Sequence, residues 1–133
     1  MAVCFEPSVV ENILAHARRE APRECCGILI GTGGSVLESV RARNIDHRPT
    51  RFLIDPRDHI DARREARRRG LAVLGFYHSH PHSSAAPSET DRADAMYPDH
   101  LYLIVGLASE PPEIGLYVLS DGNFQQLAFV TTG

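Results

Sequence analysis

The chain has 133 residues, a net charge of −3, 43% hydrophobic and 23% charged residues, proportions of an ordinary globular protein rather than a disordered or fibrous one. At this length one core can bury roughly two thirds of the unfolded surface, so a single domain over residues 1–133 is expected. No apolar run reaches the roughly 18 to 20 residues of a membrane span, no basic-then-apolar leader is visible at the start, and the negative charge offers nucleic acid no general attraction. The expectation is therefore a cytoplasmic protein with neither membrane nor nucleic acid as partner.

Three cysteines, Cys4, Cys25 and Cys26, are odd in number and lack Cys-x-x-Cys spacing, which predicts reduced thiols rather than a disulfide framework or a thiolate metal site. All fourteen basic residues are arginine. A GC-rich codon usage explains this most simply, although a chain without lysine also offers no side-chain amine for ubiquitin-like conjugation.

Val9, Val10, Ile13, Leu14 and Ala17 recur at helical spacing and predict a helix from Ser8 to Glu20, with Ser8 as N-cap and Pro22 beyond its end. Cys25 to Ile30 and Ser35 to Val40 predict a hairpin around Thr32-Gly33-Gly34. A brief strand is expected near Phe52 to Ile54. Pro56 suits the first turn of a helix that continues through Arg69 to a stop at Gly70. Its cluster of Arg63, Arg64, Arg67, Arg68 and Arg69 reads as a solvated face. Leu71 to Tyr77 is an apolar run too short for a helix and predicts a buried strand, followed by a loop from Pro81 to Pro87 and a short helix from Glu89 to Met96 capped by Ser88. Strands near Leu101 to Leu107, Gly115 to Leu119 and Phe124 to Val130, the last two joined by a turn at Asp121-Gly122, complete the chain.

The central segment carries the chemistry. On a strand, residues i and i+2 project from one face, so His78 and His80 can aim two imidazoles at one point. The loop then turns the chain so that Asp91, in the first turn of the next helix, can bring a carboxylate to the same place. Two His and one Asp with an open fourth position is the ligand count of a catalytic zinc site. Each part also has a plain structural reading: histidines that are merely hydrogen-bonded, a Ser88-x-x-Asp91 capping box, and Glu24 as a surface acid in a salt bridge.

Read together, His78-Ser79-His80-Pro81, Pro87-Ser88-Glu89-Thr90-Asp91 and the upstream Glu24-Cys25-Cys26-Gly27-Ile28-Leu29-Ile30-Gly31 resemble the JAMM or MPN+ metalloproteases. The resemblance covers nearly the whole chain in element order. It implies a curved mixed β-sheet flanked by helices, an α+β arrangement of the cytidine-deaminase-like JAMM kind. It also implies one Zn2+ per chain held by His78, His80 and Asp91, Glu24 as general acid and base, and Ser88 as a hydrogen-bond donor to the reacting carbonyl.

The chain has no room for the ubiquitin-gripping insertions of the larger eukaryotic deubiquitinases, and so looks like the short prokaryotic members. Those imply hydrolysis of an amide bond after the tail of a ubiquitin-fold, sulfur-carrier-like protein. The alternative is a non-catalytic MPN-type scaffold. A zinc deaminase would need a Pro-Cys-x-x-Cys pair and a helical zinc protease a His-Glu-x-x-His motif, and the chain has neither. A homodimer is compatible with the sequence, although no apolar seam marks one.

Overall fold

The computed structural model describes residues 2–131. Eight strands form one mixed sheet: β1 (Val3–Phe5), β2 (Cys26–Thr32), β3 (Ser35–Ala42), β4 (Ala72–His80), β5 (Leu101–Gly106), β6 (Glu113–Ser120), β7 (Asn123–Leu127) and β8 (Phe129–Thr131). Their spatial order is β7-β6-β5-β4-β2-β3-β1-β8. Three helices accompany them: α1 (Pro7–Glu20), α2 (Pro56–Arg68) and α3 (Glu89–Asp94). None of them is long and apolar enough to cross a membrane.

The curvature follows from connectivity. β7 and β8 are the opposite edges of the sheet, yet only Ala128 separates them in the chain. One residue reaches no further than about 3.6 Å, so the sheet must curl until its two edges meet at a corner. The result is nearly barrel-like, and it agrees with the curved mixed sheet that the family resemblance implied, with two departures. The predicted strand from Phe124 to Val130 is two strands, the second pairing in parallel with β1 (Val3↔Phe129, Phe5↔Thr131). β1 itself was not anticipated.

Alternation along the strands divides the core between the two faces. Val9, Ile13 and Ala17 of α1 pack with Leu29, Tyr77, Leu103 and Leu116 on one face. Ala62 and Ala66 of α2 pack with Ile28, Phe76, Ile104 and Leu119 on the other. Each large side chain taken fully from water stabilises the fold by roughly 1.5–3 kcal/mol.

Several boundaries move. α1 begins one residue early: Pro7 occupies its first turn and Glu6 is the N-cap position, without a side-chain cap, so Ser8 lies inside the helix. The first hairpin turns on Gly33 and Gly34, Gly33 at a φ of +57° that favours glycine. α2 starts at Pro56 behind Asp55, whose carboxylate accepts from the Arg57 amide. Two of the five clustered arginines are paired with acids at the surface, Arg68 with Glu65 and Arg69 with Glu38. Phe52 to Ile54 forms no strand, only one isolated bridge between Asn44 and Ile54. Cys25 and Cys26 are buried free thiols and Cys4 is half-buried. Burial pushes the Cys25 thiol up to about 11, so it stays protonated at neutral pH.

Candidate metal centre

β4 is the central strand, hydrogen-bonded to β2 on one side and β5 on the other. It extends three residues beyond the predicted end, so both histidines are part of the strand. Alternation sends His78 and His80 to the α2 face with Phe76, and Ser79 to the α1 face with Tyr77. His78, His80 and Asp91 are 3%, 5% and 9% exposed.

The three side chains converge. His78 Nε2 lies 3.3 Å from His80 Nε2 and 3.1 Å from Asp91 Oδ1, and His80 Nε2 lies 3.0 Å from Asp91 Oδ2. His80 Nδ1 is 2.8 Å from the Ser84 carbonyl oxygen. That oxygen can only accept, so Nδ1 carries the hydrogen and Nε2 of the neutral ring presents a lone pair inward. The His80 lone pair and the Asp91 carboxylate, facing one another at 3.0 Å, repel unless a proton or a metal cation lies between them. One ligand atom from each residue falls within 4.8 Å of the others. An all nitrogen-and-oxygen set of two His and one carboxylate suits zinc with an open position.

The Ser84 carbonyl is itself held in place. Ala85 N donates to Glu113 Oε1 (2.7 Å) and Tyr117 Oη donates to the Ala85 carbonyl (3.0 Å). The loop lies so close over β5 that a Cβ on Gly106 would come within 2.5 Å of the Ala85 amide nitrogen. Glycine at 106 therefore lets the loop approach His80. A backbone acceptor of this kind leaves no trace in residue identity, and reasoning from sequence could not name it.

Asp91 reaches the cluster from α3. Ser88 Oγ accepts from Asp91 N (3.0 Å) while Ser88 N donates to Asp91 Oδ2 (2.9 Å). The capping box and the convergent carboxylate are thus one device: the cap fixes the turn that aims Asp91. Burial alone would raise the Asp91 carboxyl, but in the metal-free protein a proton on the His78 or His80 ring, donated to the carboxylate, holds it well below the usual range. α3 ends at Asp94, short of the expected Met96, which is exposed.

Glu24 precedes β2, and the β2–β4 register pairs Cys26 with His78. Two residues back along β2 and two forward along β4, the same register sets Glu24 opposite His80. Its side chain is 6% exposed. Oε1 is buried without a hydrogen-bond partner among the described residues, so the surface salt bridge considered from sequence is not formed. Burial lifts this carboxyl from 4.5 to about 7, opposed by His80 and reinforced by Asp91 and Asp46. A buried carboxylate with no partner costs stability, and such groups cluster at functional sites.

Phe52, which had no role in the sequence reading, stacks on the His78 ring at 4.3 Å and 21°. A small cavity of about 40 Å³ beside the ligands, bordered by Phe52, His78, Asp91, Tyr102 and Phe124, opens toward a larger groove. That groove, about 430 Å³, shares Phe52 and Tyr102 and runs on to Leu53 and Met96. The latter two are 54% and 72% exposed.

Residues 6–119 match the family model described as prokaryotic homologs of the JAB domain. The chain is 36% identical over 101 residues to a desampylase of Haloferax volcanii, covering 71% of this chain and 73% of that one. It is 32% identical over 117 residues to the CysO-cysteine peptidase of Mycobacterium tuberculosis, covering 86% and 80%. Among solved structures, a Desulfitobacterium hafniense protein superposes with a TM-score of 0.89 at 30% identity over 98% of this chain and 92% of the other. With its sequence matched over most of its length and its fold reproduced, the chain belongs to the prokaryotic homologs of the JAB domain, the short prokaryotic branch of the JAMM/MPN family.

Proposed function

We propose that this protein is a cytoplasmic zinc peptidase, acting through residues 1–133 as one domain, that hydrolyses an amide bond following the C-terminal tail of a ubiquitin-fold carrier protein. The observation that carries the reading is the convergence of His78, His80 and Asp91 beside a buried, unpartnered carboxylate, Glu24. The names of the relatives, a desampylase and a CysO-cysteine peptidase, support the substrate class. A non-catalytic scaffold would have no use for the orphaned Glu24.

His78, His80 and Asp91 are the residues that would hold the zinc. Zinc, when bound there, supplies Lewis acidity that brings the pKa of a water to near 7 and polarises the scissile carbonyl. Glu24 takes a proton from the attacking water and returns it to the nitrogen of the departing amine, a dual role open to one buried carboxyl that lies beside the ligands and is not itself one of them. Ser88 Oγ uses a lone pair for the Asp91 amide, which leaves its hydroxyl hydrogen free to donate to the oxyanion. Ser88→Ala is therefore expected to act twice. It should lose roughly 0.5–2 kcal/mol of stability as a cap and lower turnover by less than the loss of Glu24 does, checked by thermal melts and steady-state rates on one preparation.

The groove that runs from Phe52, beside the ligands, to Leu53 and Met96 is mainly apolar and offers a Gly-Gly tail few side-chain contacts, so the folded body of the carrier should supply much of the binding energy. We expect a folded carrier bearing an amide-linked residue or extension after Gly-Gly to be cleaved with a far higher kcat/KM than its isolated tail peptide, with Glu24→Gln as the blank. Equal rates for the two, or efficient cleavage of unrelated unstructured peptides, would identify a general peptidase instead.

A further inference from the structure

The connection between β3 and α2 forms one wall of the site although it is almost free of regular structure. Its neck is closed by Ile45 N donating to the Leu53 carbonyl (2.9 Å) and Asp55 N donating to the Arg43 carbonyl (2.9 Å). Near its tip, Asp46 Oδ1 accepts from Arg48 N (2.9 Å). Within this segment lies one side-chain amide that makes four hydrogen bonds. Asn44 Nδ2 donates to the Glu24 carbonyl (3.0 Å) and to the Arg51 carbonyl (3.1 Å). Asn44 Oδ1 accepts from Asp46 N (3.0 Å) and Leu53 N (3.0 Å). The orientation of the amide follows from its partners, because reversing it would set hydrogens against amide hydrogens and oxygen against two carbonyls.

The Glu24 carbonyl belongs to the same peptide unit as the Cys25 amide, and Cys25 N donates to Ser79 Oγ at 2.8 Å. This one planar unit is thus gripped at its oxygen by Asn44 and at its N–H by the residue between the two histidines. The grip fixes the backbone that aims the Glu24 side chain relative to β4. It matters because, among the described residues, Glu24 Oε1 has no hydrogen bond of its own to hold it. At its other end the same amide secures Arg51 and Leu53, the residues on either side of Phe52, which lies flat on His78. Few other side chains could replace it: Asp lacks the two donors, Gln is a methylene longer, and Ser is too short.

We propose that Asn44 is a positioning residue that sets the general base Glu24 and the Phe52 wall against the His78/His80 pair through its four hydrogen bonds. The proposal rests on the assignment of Glu24 as base made above, and its test separates the two.

Asn44→Asp keeps the size and the oxygen facing Asp46 N and Leu53 N, but sets an oxygen against the two carbonyls. Asn44→Ala removes all four bonds. Misplacement of a catalytic group by about 1 Å can cost on the order of 100-fold. Both variants are thus expected to lose about 10- to 100-fold in kcat, with zinc content unchanged and KM altered much less. Amide exchange in the zinc-free proteins provides a second readout independent of turnover: the Asp46 and Leu53 amides should exchange faster in Asn44→Ala and stay protected in Asn44→Asp.

Wild-type kcat in both variants overturns the proposal, as does a loss confined to KM or one proportional to missing zinc. Unchanged exchange at Asp46 and Leu53 in Asn44→Ala overturns the network itself, whatever the kinetics. Should Glu24→Gln turn over like wild type while Asn44→Ala shows fast exchange, the base assignment fails and only the structural half of the proposal survives, which overturns the catalytic half.

Discussion

Replacing Glu24 by Gln is expected to lower kcat by about 100- to 10,000-fold, the usual contribution of a general acid–base group, while zinc content and KM stay close to wild type. The amide matches the carboxyl in shape but can neither accept the water's proton nor return one to the leaving amine. A second consequence comes from the same burial. In the metal-free protein the Glu24 carboxyl is raised from 4.5 to about 7. A group raised on folding contributes its stability below its unfolded value and loses it as pH rises through the folded one. Between about pH 4.5 and pH 7 the wild type should therefore weaken relative to the variant, by up to about 3 kcal/mol above pH 8. Denaturant unfolding of zinc-stripped wild type and Glu24→Gln across this range measures it. Parallel stability curves, or near-normal turnover in Glu24→Gln, would refute the assignment of Glu24 as a buried base.

The parts of the structure legible in the sequence are those specified by local patterns. Periodicity and end signals placed α1 and α2 to within a residue or two, because Val9, Ile13 and Ala17 face one core and Pro56 and Gly70 bracket the second helix. The His-x-His spacing gave two rings on one face of β4, and the capping box gave the turn that presents Asp91.

The parts that were hidden depend on distant pairing. β1 is three residues long and gains its partners from β3 and from the far end of the chain, so no local window reveals it. The split at Ala128 carries no turn signal, because the chain there passes from one edge of a curled sheet to the other rather than reversing. Phe52 looked like strand because it is aromatic, but its packing partner is an imidazole from β4.

The candidate site divides in the same way. His78, His80 and Asp91 lie within fourteen residues and could be joined by spacing. Glu24 stands 54 positions before His78, and residue type alone left it as an ordinary surface acid until family resemblance singled it out. In the fold, the pairing of Cys26 with His78 brings Glu24 opposite His80. Its lack of a hydrogen-bond partner is a property of the folded state only. Ser84 supports the site through its backbone carbonyl, Glu113 through its carboxylate at the start of β6 and Asn44 through its amide in a loop, and nothing in their identity distinguishes them from ordinary polar residues.

Asp91→Ala is expected to abolish both zinc binding and turnover, because this carboxylate takes part in three arrangements at once. Its two oxygens face the Nε2 atoms of His78 and His80 at 3.1 and 3.0 Å, and Oδ2 also accepts from Ser88 N at 2.9 Å. Truncation leaves two imidazoles without the third ligand and the Ser88 amide without its acceptor, so the turn that shapes the site loosens as the ligand disappears. A metal present at 1,000 times its dissociation constant stabilises the folded state by about 4 kcal/mol. Wild type should accordingly carry about one zinc per chain and melt at a lower temperature after chelation. Asp91→Ala should carry almost none and melt at a temperature indifferent to the chelator. Ser88→Ala separates cap from ligand, since it loses the hydroxyl but keeps the carboxylate, and its melting should remain sensitive to chelation. Elemental analysis and paired melts with and without chelator decide the matter. Full zinc occupancy in Asp91→Ala, or zinc bound through Cys25 and Cys26 rather than through the two histidines, would remove Asp91 from the metal centre.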